Sequence, residues 1–465
     1  MASWDRRTPE AQGKVRDAAI RAQMRDCVGP FSPFWRERLA ALRKPAGSVR
    51  SAGDLAMLPA VSERDVCPDG DPRSAARLVL QADESGWALH TQGPALRQAL
   101  VRRLRGTAAY RRQVEADVRP TTYHFAGAAL TFPVASTRRD LDLVARAGAR
   151  AWQVLGLSGA DVLVSAVPVA QRLDHVFLSF AALAAGAPAL FPRADGAGVD
   201  GVVTALGTVS ATVLAVPADG GAALLEDLAA AGAALDDVQA VLVVGSTGAD
   251  DEVRAAAAAA GLDRARVLGL YGPDAGRVLW AQCAPGSGFH TYPDLDVVEL
   301  VDPDSGEAAP RGEGGEVVVT QLGFRGSALV RWRTGDVVDE PLESGACRGC
   351  GRTVPRVAPP VRRGSLVHQL ELRGGAATLD VRAVAGALNG RADVAGWRVE
   401  TVTSARDGAR DLLVYVAANG DEADAAVGAY RDVLAASGVA PAQVVVVTAD
   451  EIAAAGDRPR VDLRR

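Results

Sequence analysis

From Ser136 to Gly272 the chain alternates short apolar runs with longer amphipathic ones, and this alternation constrains the fold more than any other feature. DLDLVARAGARAWQVLGL reads as an amphipathic helix ending at Gly156, and ADVLVSAVP as a buried strand. HVFLSFAALAAG, APALF, VVTALGTVS and TVLAVP continue as helix, strand, helix and strand. GAALLEDLAAAGAAL, VQAVLVVGS, EVRAAAAAAGL and ARVLGLYG repeat the pattern. Apolar runs of about five residues between helices of ten or more predict a largely parallel sheet covered on both faces. Ligands of such sheets sit at the carboxyl ends of strands. The loops Gly245-Ser246-Thr247-Gly248 and Tyr271-Gly272-Pro273-Asp274 are therefore the first candidates for a site. The first lacks the Gly-x-x-x-x-Gly-Lys of a nucleotide P-loop.

Around this block the signals differ. Residues 10 to 44 read as helix with a break at Gly29-Pro30, and Phe31, Phe34, Trp35 and Leu39 form an apolar edge. ARLVLQA (Ala76 to Ala82) reads as a strand, and PALRQALVRRLRGTAAYRRQVEADV as a basic helix with a solvated face. TTYHF and ALTFPVA read as two short strands joined at Ala126-Gly127. After Gly272 come antiparallel, barrel-like strands, and beyond about residue 360 a split-βαβ pattern. The expected class is α/β. A large N-terminal domain (1–360) has mostly parallel layered sheets plus an antiparallel barrel-like part, and a small C-terminal α+β domain spans 361–465. The polar last residues read as mobile.

Fifty-one basic residues face fifty-six acidic ones, a net charge of −5, so nothing global directs the chain to nucleic acid or an anionic membrane. The first residues lack a positive-then-apolar leader. The longest apolar run, Phe177 to Phe191, falls short of the roughly 18 residues of a membrane span. A cytoplasmic protein without a membrane partner is expected. Five cysteines with one close pair do not make a disulfide scaffold. Only Lys14 and Lys44 are lysines, so any mechanism needing a lysine in the C-terminal half is excluded.

Cys283, His290, Cys347 and Cys350 bracket the antiparallel strands. Cys347-Arg348-Gly349-Cys350-Gly351 is a knuckle-like turn, and Cys283 and His290 complete a Cys3His set. Four protein ligands leave no open position, so a zinc ion here is structural; the alternative is a group of reduced, unliganded cysteines. Asp336, after Arg331 and Arg333, stands where a strand-exit carboxylate accepts hydrogen bonds from a ribose diol. The alternative is a structural Arg–Asp turn. Ser246 is not in a Gly-x-Ser-x-Gly elbow, so no Ser/His/Asp system has local support.

These stretches together resemble the acyl- or aryl-adenylate-forming enzymes, specifically the phenylacetate–CoA ligase branch. FSPFWRERL, DLAMLPAVSERDV, STRRDLDLVARAGARAWQVLGLSGADVLVS and LGLYGPDAG carry the resemblance. CAPGSGFHTYPDLDVVELVDPDSGE, GEGGEVVVTQL, ALVRWRTGDV and CRGCGRTVPRV follow in order, and LRGGAATLDVRAV resembles the entry to a mobile small domain. The resemblance implies a two-step ligase. A carboxylate attacks the α-phosphate of Mg-ATP to give an acyl-AMP, and CoA thiol then displaces AMP as the small domain rotates. It implies that Asp336 holds the ribose hydroxyls and that Tyr271, with Gly272, Asp274 and Arg352, belongs to the nucleotide site. Gly245 and Ser246 line the acyl and adenine pocket, and Cys283, His290, Cys347 and Cys350 carry the branch's metal. The ligand is a small carboxylic acid or an acyl-CoA-like molecule, and the branch suggests a homodimer.

The sequence departs from the family's pattern in three catalytic motifs and in its Gly-Arg hinge, which is blurred into VRRGS (Val361 to Ser365). TTYHFAGAAL stands where a Ser/Thr/Gly phosphate loop followed by Lys-Pro belongs, and ADESGWALH (Ala82 to His90) is an acidic substitute. Ala275 occupies the place of the Mg2+-holding glutamate, with Asp274 one residue early. No lysine follows Lys44, and Arg458 and Arg460 are the nearest cations to the catalytic lysine's place. Each missing donor in a preorganised phosphate site costs on the order of 3 kcal/mol of transition-state stabilisation. Two expectations result: a ligase that runs this acyl-AMP and CoA-thioester chemistry or an altered version of it, or a catalytically inactive homologue serving as a nucleotide- or acyl-binding or partner subunit.

Overall fold

A computed structural model describes residues 4–68, 71–92, 106–126, 132–167, 173–192, 198–248, 250–303, 305–362, 367–380, 384, 387–388, 391, 393–403, 409–418, 423–436, 440–441, 443–448 and 461–463. The chain divides into two compact units, Met1–Arg362 and Arg363–Arg465. Among the described residues no helix is long and apolar enough to cross a membrane.

The large unit begins with helix Pro9–Gln23, which widens into a π-turn at Met24–Val28 and runs on through Gly29–Phe31. The break falls at Ser32 and not at Gly29-Pro30. Pro33 pushes the residue before it into extended backbone (φ −91°, ψ 111°), and Ser32 Oγ then caps helix Pro33–Ala41 by accepting from Trp35 N–H. Trp35 is fully buried with Ile20, Phe31 and Leu39. The ARLVLQA stretch is not a strand: Pro72–Leu78 is a 3₁₀ helix. Asp71 caps it through Arg73 N–H and Pro72 fixes its first turn, two helix-start signals that outweigh the apolar content. ADESGWALH is likewise largely helical, within Glu84–Gln92. Of the basic stretch, Thr107–Val118 is helix, and residues 93–105 lie outside the described residues.

Strands β1 (Thr122–Ala126) and β2 (Phe132–Ser136) pair antiparallel. Next come β3 (Leu163–Ser165), β4 (Ala189–Leu190), β5 (Val213–Pro217), β6 (Ala240–Val244) and β7 (Arg266–Tyr271). The order β4-β3-β5-β6-β7 is parallel throughout. Its two faces are read off the strands residue by residue. Val213, Ala215, Ala240 and Leu242 join one core with helices Arg138–Val154 and Leu173–Ala185. Leu214, Val216, Val241 and Val243 join another with helices Gly198–Thr208, Gly221–Ala230 and Asp251–Ala259. Side chains alternate across a strand, so a run apolar at every position must be covered twice. Gly148 lets the first two helices touch: a Cβ there would lie 2.5 Å from Ala181 Cα.

Beyond β7 the sheet continues antiparallel through β8 (Trp280–Ala281) and β9 (Phe289–His290) to β13 (Arg356–Val357). Strands β10 (Asp296–Val301), β11 (Gly315–Gln321), β12 (Trp332–Val338) and β14 (Val361–Arg362) form a second sheet in the order β10-β11-β12-β14. It is an open antiparallel sheet, not the expected barrel-like closure.

In the small unit β15 (Val367–Leu372) and β16 (Gly375–Asp380) form a hairpin. Strands β17 (Val394–Thr403), β18 (Arg410–Ala418), β19 (Gln443–Val447) and β20 (Val461–Leu463) form a sheet ordered β19-β18-β17-β20. Trp397, Val399, Leu412, Val414, Tyr430 and Leu434 fill its core. The expectation of a mobile end does not hold for Val461–Leu463, which pairs parallel with Val399–Thr401. Arg458 and Arg460 lie outside the described residues.

Candidate metal centre and strand-exit site

Cys283 follows β8, and residues 284–288 fold back so that β9 presents His290 beside it. Ser287 Oγ holds this return by accepting from Cys283 N–H (3.1 Å) and Ala284 N–H (3.2 Å). β13 pairs with β9, setting Arg356 opposite His290, and so brings the 347–356 segment to the same edge. There Cys347 N–H donates to Arg352 O (2.7 Å) and Gly351 N–H to Cys347 O (2.8 Å), winding the turn that carries Cys350. A Cβ on Gly349 would sit 3.0 Å from Cys283 Sγ, close enough that the sulfur would have to shift.

The four candidate ligand atoms all lie within 4.8 Å of one another. Cys283 Sγ is 3.7 Å from Cys347 Sγ, and Cys350 Sγ is 3.3 Å from His290 Nε2. A tetrahedron with metal–sulfur bonds of ~2.3 Å and metal–nitrogen bonds of ~2.0 Å has edges of roughly 3.5–3.8 Å. The donor set fits a metal ion. His290 Nδ1 lies 3.1 Å from Ala281 O, a contact that places the ring proton there and turns the Nε2 lone pair toward the cysteines. Burial lowers the His290 pKa to about 4, which keeps the imidazole neutral. Burial also pushes the Cys283 thiol up to about 12 in the metal-free cluster. For Cys350 burial acts the same way, but hydrogen bonds from the Arg352 side chain and backbone bring it below the usual thiol value.

The other candidates gather at strand exits. Tyr271, at the end of β7 and fully buried, donates its hydroxyl to Asp336 Oδ2 at 2.9 Å. Asp336 lies on β12, 2% exposed, and its N–H donates to Thr334 Oγ1. Of the neighbouring arginines, Arg331 donates to Glu299 and Arg333 to Glu316. The loop after β6 is closed on itself. Ser246 Oγ donates to buried Asp250 (2.6 Å) and accepts from Gly248 N–H (2.9 Å), while Gly245 N–H donates to Leu270 O. Gly248 has φ +82°, and a Cβ on it would meet Pro359 Cβ at 2.3 Å. Gly272 is buried, Asp274 is exposed, and Ala275 is 1% exposed in the apolar core. Arg352 does not join this group; its Nε donates to Asp5 (2.6 Å) and it serves the cysteine turn. Residues 127–131 of the expected phosphate-loop region lie outside the described residues.

No family model matches the chain. Over 76 residues, 16% of this chain and 16% of its counterpart, it is 41% identical to the phenylacetate-coenzyme A ligase of Thermus thermophilus. Solved structures of 2-hydroxyisobutyryl-CoA ligase superpose over 99% of the chain. The postadenylation state with 2-HIB-AMP has a TM-score of 0.63 at 16% identity, covering 90% of that structure. An open conformation with 2-HIB-AMP and CoA has a TM-score of 0.61 at 18% identity, covering 92%. The chain has the fold of 2-hydroxyisobutyryl-CoA ligase.

Within this CoA-ligase fold a buried polar network went unseen in the sequence. Arg277, 1% exposed, donates to Gln321 Oε1 (2.9 Å), Ala135 O (3.0 Å) and Ser327 O (2.6 Å), with Asp140 Oδ2 at 3.6 Å. Asp140 in turn accepts from the N–H groups of Thr137, Arg325 and Gly326. The network fastens β2 to β11 and the 325–327 loop. Opposite Gln321 in the ladder stands Asp296, where Trp280 Nε1 donates to Oδ2 (3.0 Å) and Oδ1 has no protein partner.

Burial first, and the nearby Asp294 carboxylate, push Asp296 up to about 7. Its folded value exceeds the unfolded one near 3.9, so the folded state holds the proton more tightly. This contribution is complete below about pH 4 and is lost as pH rises toward 7, an upper figure of roughly 4 kcal/mol. Asp296→Asn is expected to flatten that part of the pH dependence. Urea unfolding should show the variant's stability relative to wild type rising by roughly 2–3 kcal/mol between pH 5 and pH 8.

Proposed function

We propose that this chain is an acyl- or aryl-adenylate-forming ligase relative of the phenylacetate–CoA ligase branch, with altered chemistry at its phosphate half. The carrying observation is the Tyr271–Asp336 pair, a buried hydroxyl–carboxylate contact between the end of β7 and β12. In this reading Asp336 takes the ribose hydroxyls, Tyr271 packs by the adenine, and the Gly245–Gly248 loop borders the acyl group. The ligand is a small carboxylic acid activated as an acyl-AMP, or an acyl-CoA. Zinc held by Cys283, His290, Cys347 and Cys350 is architectural, because four protein ligands close its shell.

A second reading has its own support. Ala275 is buried in the apolar core where a Mg2+-holding carboxylate belongs, and no lysine follows Lys44. Those residues favour a catalytically inactive homologue that binds AMP or acyl ligands as a partner subunit. ATP–pyrophosphate exchange across aryl, alkyl and amino acids, paired with calorimetry of AMP binding, separates the two. Exchange abolished by Asp336→Ala supports the ligase. AMP binding weakened about tenfold or more by the same substitution, with no exchange, supports the binding subunit. Neither exchange nor binding would remove both.

A further inference from the structure

The N-terminal residues Trp4–Arg7 lie across the turn that carries the last two cysteines. Asp5 accepts from Arg352 Nε at 2.6 Å, both side chains being largely buried, and Arg6 donates to Cys350 O at 3.0 Å. Thr353 N–H donates to Asp5 O (2.8 Å) and its hydroxyl to Arg7 O (2.6 Å), while Gln12 Nε2 reaches both Arg7 O and Thr353 Oγ1. The segment is anchored at its other end. The Trp4 ring packs on Tyr292 (5.6 Å between centroids) under the Arg150 guanidinium, and Tyr292 bonds to Leu279 O just before β8. Arg352 is tied into the cysteine turn through its backbone, where its carbonyl accepts from Cys347 N–H at 2.7 Å.

We propose that Trp4–Arg7 is a retaining strap for the metal. Asp5, acting through Arg352, and Arg6 are positioning residues that hold Cys350 on the ion. This rests on the zinc reading above. A metal leaves a closed four-ligand site when one ligand swings away, and the segment holds this turn at two points: Arg6 on the Cys350 carbonyl, and Asp5 on Arg352, whose own carbonyl accepts from Cys347 N–H. A dipositive ion with three thiolates also carries a net charge of about −1, which the adjacent guanidiniums offset. Partners of this kind typically change metal affinity by 10–100-fold.

The test uses full-length protein purified without chelator. Zinc content is measured first, and release to 4-(2-pyridylazo)resorcinol is then followed for wild type, Asp5→Ala, Asp5→Asn and Arg6→Ala. Wild type without near-stoichiometric zinc removes the metal reading itself. With zinc present, Asp5→Ala and Arg6→Ala are expected to release it at least about tenfold faster, with Asp5→Asn intermediate. The cobalt-substituted variants should show shifted thiolate–cobalt absorption, which a purely structural contact would leave in place. Release at the wild-type rate from loaded Asp5→Ala and Arg6→Ala, with unchanged cobalt spectra, overturns the strap. If Asp5→Ala does not fold, Arg6→Ala decides alone.

Discussion

Cys347→Ser is expected to cost the large unit its metal and about 4 kcal/mol of stability together. The figure follows from mass action: an ion that binds only the folded state, at 1,000 times its dissociation constant, contributes about 4 kcal/mol. Cys347 is buried with its sulfur 3.7 Å from Cys283, and serine offers a poor ligand in the same volume. Zinc analysis and thermal unfolding of the same sample check both halves. Cys67→Ala, outside the cluster, should keep its zinc. Retention of zinc and midpoint by Cys347→Ser would refute the assignment.

Arg277→Met is expected to destabilise the large unit by roughly 3–5 kcal/mol, because removing one partner of a buried ion pair leaves the other charge uncompensated. Here the loss extends further. Gln321 Oε1, Ala135 O and Ser327 O each lose a donor, and the guanidinium also sits 4.4 Å from the Phe324 ring centroid. Burial lowers the Arg277 pKa only to about 10, so it is a cation at neutral pH. Urea unfolding measures the change. A cost under about 1 kcal/mol would show that β2 is held mainly by its apolar contacts.

The parts of this molecule that were legible are those with local causes. A strand such as AVLVV, apolar at every position, announces a sheet covered on both faces, and β6 lies in one. Cys347 and Cys350, separated by two residues, have the spacing of a metal-binding turn, and the fold brings Cys283 and His290 within 4.8 Å of them. Neighbouring signals misled where a cap competed with composition. ARLVLQA looks like a strand until Asp71-Pro72 is weighed, and Pro33 moves the helix break to Ser32. Least legible were charges turned inward. Nothing local marks Arg277, Asp140 or Asp296 as buried, since their partners come from elements up to 186 residues away. Arg352 was read with the nucleotide site, and its contact with Asp5, 347 positions away, has no local signal in the sequence.

The Asp5–Arg352 contact joins residues 347 positions apart. Protein synthesis proceeds at about 5–20 residues per second, so this interval corresponds to roughly 17–70 s. For nearly all of that time neither Arg352 nor the last cysteine of the set, Cys350, has been made. Closure of the strap is therefore a late event in the life of the nascent chain, and whatever engages residues 4–7 in the meantime competes with it directly.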